Sequence, residues 1–273
     1  MLVGLKEILD WAEENRCAVP SFNVYNQETV MGITAAAEEA KAPIIIQMYS
    51  RLFDGPSAQY VMACARETAN RLKTPVAIHL DHGAGMSEVQ RALRLGASSI
   101  MIDASSKSLD ENIRITKEVV DICAMSDIQV EGELGHIGTT KEEIPSDYTK
   151  ADEAVEFVKK TGVVALAVLI GNAHGRYKQE PNLNIARVHE IREATHIPLV
   201  LHGGTGIPDD QIRAAIENGV RKVNFGTDVC FAFLDAVRAV PFSLYALDLV
   251  MKEPIEAVKR YALSKINLLE KLS

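Results

Sequence analysis

The stretch Ile78-His79-Leu80-Asp81-His82-Gly83 reads as an apolar strand that ends in a carboxylate and an imidazole. Two later runs end in the same manner, Ile170-Gly171-Asn172-Ala173-His174-Gly175 and Leu199-Val200-Leu201-His202-Gly203. Together with five others these make eight short β-rich runs: 18–24, 43–48, 75–80, 99–102, 129–133, 164–170, 198–201 and 222–225. They alternate with longer segments of helical spacing. Eight such units predict a (β/α)8 TIM barrel, in which the three histidines leave strands three, six and seven at one mouth.

The helical spacing is carried by Val30, Ile33, Thr34 and Ala37 before the second strand, and by Ile113, Thr116, Val120 and Cys123 before the fifth. Each set puts its less polar residues on one side of a 3.6-period helix that packs outside the sheet. Leu95-Gly96-Ala97, Asn218-Gly219-Val220 and Lys73-Thr74-Pro75 punctuate returns from helix to strand. No break in composition suggests a linker, so residues 1–273 are expected to form one domain. Two regions depart from the rhythm. His136 to Asp147 is polar and reads as a mobile loop, with Thr149 capping the next helix. From Pro241 onward a C-terminal extension carries two helical patterns, broken near Pro254.

Among 273 residues there are 29 basic and 37 acidic side chains, a formal charge of -8. That balance gives no electrostatic reason for a nucleic acid or an anionic membrane as partner, so an anionic ligand must be held by local donors. Cys17, Cys64, Cys123 and Cys230 are far apart and without CxxC spacing. They read as reduced thiols in or near the core and fit a reducing cytosol. No window reaches the roughly 20 apolar residues of a membrane span. The N-terminus alternates acidic and apolar residues like a helix and lacks a signal pattern, so a soluble cytoplasmic protein is expected.

A catalytic zinc takes about three protein ligands and keeps a position open for substrate. His82, His174 and His202 meet that need if the barrel presents them together. His79, two residues before Asp81, points the same way but one layer deeper, which suits a packed or supporting imidazole. Asp81 points away from His82 if extended geometry persists, which suits proton transfer better than coordination. Asp103 and Glu133 end the fourth and fifth strands and bring two more carboxylates to the rim. They bind a second metal position or orient the ligand histidines.

His202-Gly203-Gly204-Thr205-Gly206 and Val223-Asn224-Phe225-Gly226-Thr227 follow strands seven and eight. In a barrel this pair of loops is the usual phosphate cradle: glycine lets backbone amides approach, and Thr205 and Thr227 add hydroxyls. Asp209-Asp210 is expected to cap the following helix. Arg51 and Arg176 are candidate contacts for a second anionic group, with a solvent-exposed role as their alternative.

With these motifs in place the chain resembles the class II, metal-dependent ketose-phosphate aldolases, especially the shorter branch that contains tagatose-bisphosphate and fructose-bisphosphate aldolases. The resemblance runs from Pro20-Ser21-Phe22-Asn23-Val24 through the segment around His82, Met101-Ile102-Asp103-Ala104-Ser105 and Glu131-Gly132-Glu133-Leu134-Gly135 to Lys222-Val223-Asn224-Phe225-Gly226-Thr227-Asp228. It implies zinc on His82, His174 and His202, with Asp103 and Glu133 as second-site or ligand-orienting carboxylates. It makes Asp81 the acid/base group at the aldehyde-derived oxygen. Gly175, Gly203, Thr205, Asn224 and Thr227 fall on positions that hold the dihydroxyacetone-phosphate half, and Asn23, Ser50, Gly204 and Gly226 complete the substrate-binding set. A monovalent cation, Na+ or K+, beside that phosphate and a homodimer or homotetramer are implied as well.

Three departures from the family pattern stand out. After strand two the sequence is Ser50-Arg51-Leu52-Phe53-Asp54-Gly55, where relatives carry an acidic or small residue and a glycine-rich stretch. After strand five it is Gly138-Thr139-Thr140-Lys141-Glu142-Glu143, where relatives have paired glycines and then an acid. Glu142, and after it Glu143, is therefore assigned to the C3 proton. Asn172 stands in place of the more usual threonine. The activity this implies is reversible aldol cleavage of a ketose phosphate to dihydroxyacetone phosphate and an aldehyde, the cation replacing a Schiff-base lysine. The same residues admit a metal-dependent hydrolase, which has no use for paired phosphate loops, and a non-catalytic barrel that binds metal and sugar phosphate.

Overall fold

In the computed structural model, which describes residues 1–141 and 147–270, eight parallel strands pair in chain order and the eighth returns to the first, closing the predicted barrel. They are β1 (Val19–Asn23), β2 (Ile44–Tyr49), β3 (Val76–Gly83), β4 (Ser99–Ile102), β5 (Gln129–Leu134), β6 (Ala165–Val168), β7 (Leu199–Leu201) and β8 (Val220–Phe225). Helices α1 (Leu5–Glu14), α2 (Gln27–Ala40), α3 (Ser57–Arg71), α4 (Met86–Leu95), α5 (Leu109–Ala124), α6 (Ala151–Thr161), α7 (Ile185–Thr195), α8 (Asp209–Glu217), α9 (Thr227–Arg238), α10 (Leu247–Val250) and α11 (Lys252–Glu270) accompany them. In α2, Val30, Ile33, Thr34 and Ala37 are buried as their spacing requires; in α5 the same holds for Ile113, Thr116 and Cys123, with Val120 only partly covered.

Successive strand residues face opposite sides of the sheet. Ile44, Ile46 and Met48 join the apolar layer between sheet and helices, whereas Ile45 belongs to the cluster inside the barrel. Val19, Ala77, Ala165, Ala167 and Val200 share that interior with Leu5, Ile8, Leu9 and Ala12 of α1, which closes the amino-terminal end. One step further along the same alternation the interior turns polar: Ser21, Asn23, Gln47, His79, Asp81, Glu131, Glu133, Lys222 and Asn224 are all buried. The barrel therefore has an apolar floor and a charged mouth, and any chemistry must sit at the carboxyl ends of the strands.

The C-terminal chain completes the ring. α11 packs along α2 and α9 and reaches α8 and β1, burying the stripe Val258, Ala262, Ile266 and Leu269. Pro254 stands just after the break expected near it, which falls at Met251 between α10 and α11. It lies in the first turn of α11, where a missing N–H removes no intrahelical bond. By contrast α9, directly after β8, buries only Val229, and beyond it Phe242, Tyr245 and Leu247 are exposed.

Two expected caps are corrected. Thr149 does not cap α6, whose N-cap is Lys150. Its buried hydroxyl donates to the Leu134 carbonyl at 2.5 Å and accepts from the Leu169 amide at 2.9 Å, tying the end of β5 to that of β6. Pro208 is the N-cap of α8, so Asp209 and Asp210 act from its first turn, where carboxylates complement the helix dipole. All four cysteines are free. Among the described residues no helix is long and apolar enough to cross a membrane.

Candidate metal centre and ligand cavity

β3 runs past the predicted Leu80 to Gly83 because it pairs with β4 through a bulge, the register moving from Leu80↔Ile100 to Gly83↔Ile102. Within that bulge His82 adopts a left-handed backbone, φ 50°. Extended geometry therefore does not persist, and the expectation that Asp81 points away from His82 is corrected. Both side chains face the mouth, with Asp81 Oδ1 3.8 Å from His82 Nε2. A bulge re-aims a side chain in just this fashion.

His174 arrives on the turn that follows β6, and that turn is stitched to the one after β5. The His174 amide donates to the Gly138 carbonyl at 2.9 Å, and the Thr140 amide donates to the His174 carbonyl at 2.8 Å. Asn172 joins this turn to β7: its Oδ1 accepts from the Ile170 amide at 2.9 Å and its Nδ2 donates to the His202 carbonyl at 3.1 Å. Gly203, immediately after His202, has φ 68°, and a Cβ there would lie 2.0 Å from the Ala173 carbonyl oxygen. Replacing Gly203 by alanine is expected to displace the segments bearing both His174 and His202 and to cost more than about 2 kcal/mol, as read by chemical denaturation.

The three imidazoles converge, with ring centroids 4.8, 4.8 and 5.6 Å apart. Their hydrogen bonds fix which nitrogen each offers. His82 donates from Nδ1 to Asp103 Oδ2 at 2.8 Å, and His174 donates from Nδ1 to the Ile137 carbonyl at 3.0 Å, so both present Nε2. His202 is turned round: Nε2 donates to Glu131 Oε1 at 3.0 Å, which leaves Nδ1 buried without a partner. The Nε2 atoms of His82 and His174 are 3.2 Å apart. Two lone pairs meeting at this distance need a positive charge between them, either a proton shared by the two rings or a metal ion. The residues therefore fit a metal such as zinc, each imidazole held by an outer partner in the manner of metal-bound histidines.

The electrostatics agree. Burial opposes a charge on His82, but Asp81, Asp103 and Glu133 outweigh it and carry its pKa up to about 9. Burial and then the charge of His82 push His174 and His202 down. Asp103, although half-buried, is held well below the usual carboxylate range by His82 and by Ser105. Burial and the neighbouring Asp103 push Glu133 up to about 8, against the pull of His82. The site favours one positive charge at the point where the nitrogens meet. His82, Asp103 and Glu133 form a second group within metal-binding reach. Because Asp103 takes the Nδ1 proton of His82, its geometry suits orienting that ring; Ser105 Oγ donates its one proton to Asp103 Oδ1 at 2.7 Å and lies 2.9 Å from Glu133 Oε1.

Beside the imidazoles opens a cavity of about 450 Å³. Asn23, Asp81, His82, Asp103, His174, Gly175, Gly203, Thr205, Asn224, Gly226 and Thr227 line it, so most of the substrate-binding residues expected from the sequence meet there. Ser50 and Gly204 are not among its lining residues. Ser50 opens a short 3-10 turn, and the Gly204 amide is already bonded to the Asn224 carbonyl at 3.0 Å. Arg51 lines the cavity and lies 5.3 Å over the Tyr49 ring. Arg176 is engaged elsewhere, stacked 3.5 Å over Phe231 and 3.3 Å from Asp228 Oδ1. Glu142 and Glu143 lie outside the described residues.

Asp81 Oδ2 accepts from Asn23 Nδ2 at 2.7 Å, and Gln47 Nε2 donates to Asn23 Oδ1 at 2.8 Å. Asp81 Oδ1 has no hydrogen-bond donor and lies beside the cavity. Three members of this neighbourhood escaped the reading of the sequence: Gln47, Glu131 and Lys222. Their signal is spacing by two, since Glu131 precedes Glu133, and Lys222 precedes Asn224, on the inner face of a strand.

The family model for class-II fructose-bisphosphate aldolase matches residues 3–272. The chain is 42% identical over 272 residues to the YdjI protein of Escherichia coli strain K12, covering 98% of this chain and 97% of that protein. It is 41% identical over 243 residues to the fructose-bisphosphate aldolase of Geobacillus stearothermophilus, covering 87% and 85%. The crystal structure of the YdjI aldolase from Escherichia coli K12 superposes with a TM-score of 0.89 at 39% identity, covering 98% of this chain and 97% of that one. A chain whose barrel, histidine cluster and full-length similarity all coincide in this way belongs to the class-II fructose-bisphosphate aldolase family, whose general chemistry is aldol cleavage.

Proposed function

We propose that the protein catalyses reversible, zinc-dependent aldol cleavage of a ketose 1-phosphate or 1,6-bisphosphate, of the fructose- or tagatose-bisphosphate type, to dihydroxyacetone phosphate and an aldehyde. The observation that carries this reading is the convergence of three imidazole lone pairs beside the free oxygen of Asp81. His82, His174 and His202 would hold zinc, which would supply positive charge where negative charge develops on the substrate oxygens.

The protein's own residues do the rest. Amides and hydroxyls at Gly203, Thr205, Gly226 and Thr227, with the N-terminus of α9, hold the C1 phosphate. Gly175 and Asn224 position the carbon chain between phosphate and metal, so that binding energy far from the reacting bond orients it. Asp81 Oδ1 takes the C4 hydroxyl proton as the C3–C4 bond breaks, while Asn23 and Gln47 keep the carboxylate aimed. A protonated carboxyl group of the loop after β5, Glu142 or Glu143, or a water then delivers a proton to C3. In condensation these roles reverse. A cytoplasmic homodimer or homotetramer acting in carbohydrate metabolism such as glycolysis, with a Na+ or K+ ion beside the phosphate, completes the reading.

The test is exchange of the C3 proton of dihydroxyacetone phosphate with solvent deuterium, followed by NMR on zinc-loaded protein. An aldolase exchanges it without any aldehyde present. A hydrolase or a non-catalytic binder leaves the proton in place, and that result refutes the assignment.

A further inference from the structure

Lys222 is fully buried on the inner face of β8, and its ammonium group has two partners. It lies 2.8 Å from Glu131 Oε2 in an ion pair, and it donates to Asn224 Oδ1 at 2.8 Å. Glu131, also fully buried, uses its other oxygen to accept from His202 Nε2. His79, fixed by Ser99 at 2.6 Å, packs 3.5 Å from the same carboxylate. One cation thus stands behind both a metal-facing imidazole and a cavity-lining amide.

We infer that Lys222 is a positioning residue that sets the metal-facing nitrogen of His202 and the donor face of Asn224 together. The first arm runs through Glu131. Anchored by Lys222, the carboxylate takes the Nε2 proton of His202, so Nδ1 is the atom that points at the metal position. The second arm is direct. With Oδ1 held by the ammonium, Asn224 offers Nδ2, a donor, to a ligand rich in oxygen acceptors. Without Lys222 the carboxylate is free to turn from His202, and the amide is free to flip. This coupling rests on the function proposed above, in that it takes zinc and a phosphorylated triose as the ligands of the site.

The experiment uses purified full-length protein and two readouts: zinc affinity of the metal-free protein by chelator competition, and affinity for dihydroxyacetone phosphate at saturating zinc by calorimetry. Lys222→Met is expected to weaken zinc binding by about 10- to 100-fold and triose phosphate binding by about 10-fold. Because the second loss passes through Asn224, Lys222→Met/Asn224→Ala should bind triose phosphate no more weakly than Asn224→Ala alone. Should Lys222→Met fail to fold with Glu131 uncompensated, Lys222→Met/Glu131→Gln carries the test. The amide oxygen that Glu131→Gln introduces still accepts from His202, so zinc affinity should return while the triose phosphate loss persists. Zinc and triose phosphate binding at wild-type strength in Lys222→Met, or in the neutral pair a triose phosphate affinity equal to wild type, overturns the inference. Losses that add in full to those of Asn224→Ala overturn it as well. Wild-type protein that takes up no zinc overturns the functional reading and, with it, this one.

Discussion

Alanine at position 174 is expected to abolish stoichiometric zinc uptake and to lower aldol cleavage by about 10³-fold or more, roughly 4 kcal/mol of lost transition-state stabilisation. His174 supplies one of the three converging nitrogens, and its Nδ1 bond to the Ile137 carbonyl turns Nε2 toward His82 Nε2 and the point where the three rings meet. Asp103 is committed to His82 and Ser105, and a carboxylate oxygen drawn in from Asp81 or Glu133 would not restore the set of three imidazole nitrogens. The side chain is near the surface of the mouth and belongs to neither apolar cluster, so the fold should survive. Metal analysis, circular dichroism and turnover on one preparation check this together. Native zinc content with full turnover in His174→Ala would remove this residue from the ligand set.

Asp81→Ala tests the other half of the site. Its expected signature is a fall in cleavage of about 10²- to 10⁴-fold, the usual contribution of a placed proton-transfer group, with zinc content unchanged and triose phosphate proton exchange within about threefold of wild type. The separation follows from geometry. Asp81 reaches toward the cavity through an oxygen without a donor, while the three imidazoles are held by Asp103, Ile137 and Glu131 rather than by Asp81. Loss of zinc in this variant would place Asp81 in the coordination sphere instead.

Much of this was legible before any coordinates. Most of the eight strands were readable as short, largely apolar runs bounded by glycine, proline or a polar residue, and a parallel barrel buries such runs on both faces. The convergence of His82, His174 and His202 followed from barrel closure, which turns equivalent strand exits into neighbours. What escaped was local or buried. The left-handed turn at His82 has no sequence signature, since a non-glycine residue there is held by the surrounding pairing with β4. Thr149 sits where a cap should be, yet its hydroxyl is claimed by two strand ends that are distant in sequence. In the sequence Glu131 and Lys222 are only members of strand motifs, with no role of their own. Only closure of the sheet brings β5 and β8 residues across one interior, where each neutralises the other.

In the proposed function one zinc ion sits among His82 Nε2, His174 Nε2 and His202 Nδ1 with a coordination position left for substrate. Zinc K-edge X-ray absorption on the protein loaded with one equivalent of metal tests it most directly. Three histidine nitrogens at about 2.0–2.1 Å and a lighter oxygen shell, changed on addition of dihydroxyacetone phosphate, are the predicted result. A sulfur shell, a carboxylate-only sphere, or a spectrum that the triose phosphate leaves untouched would contradict the account.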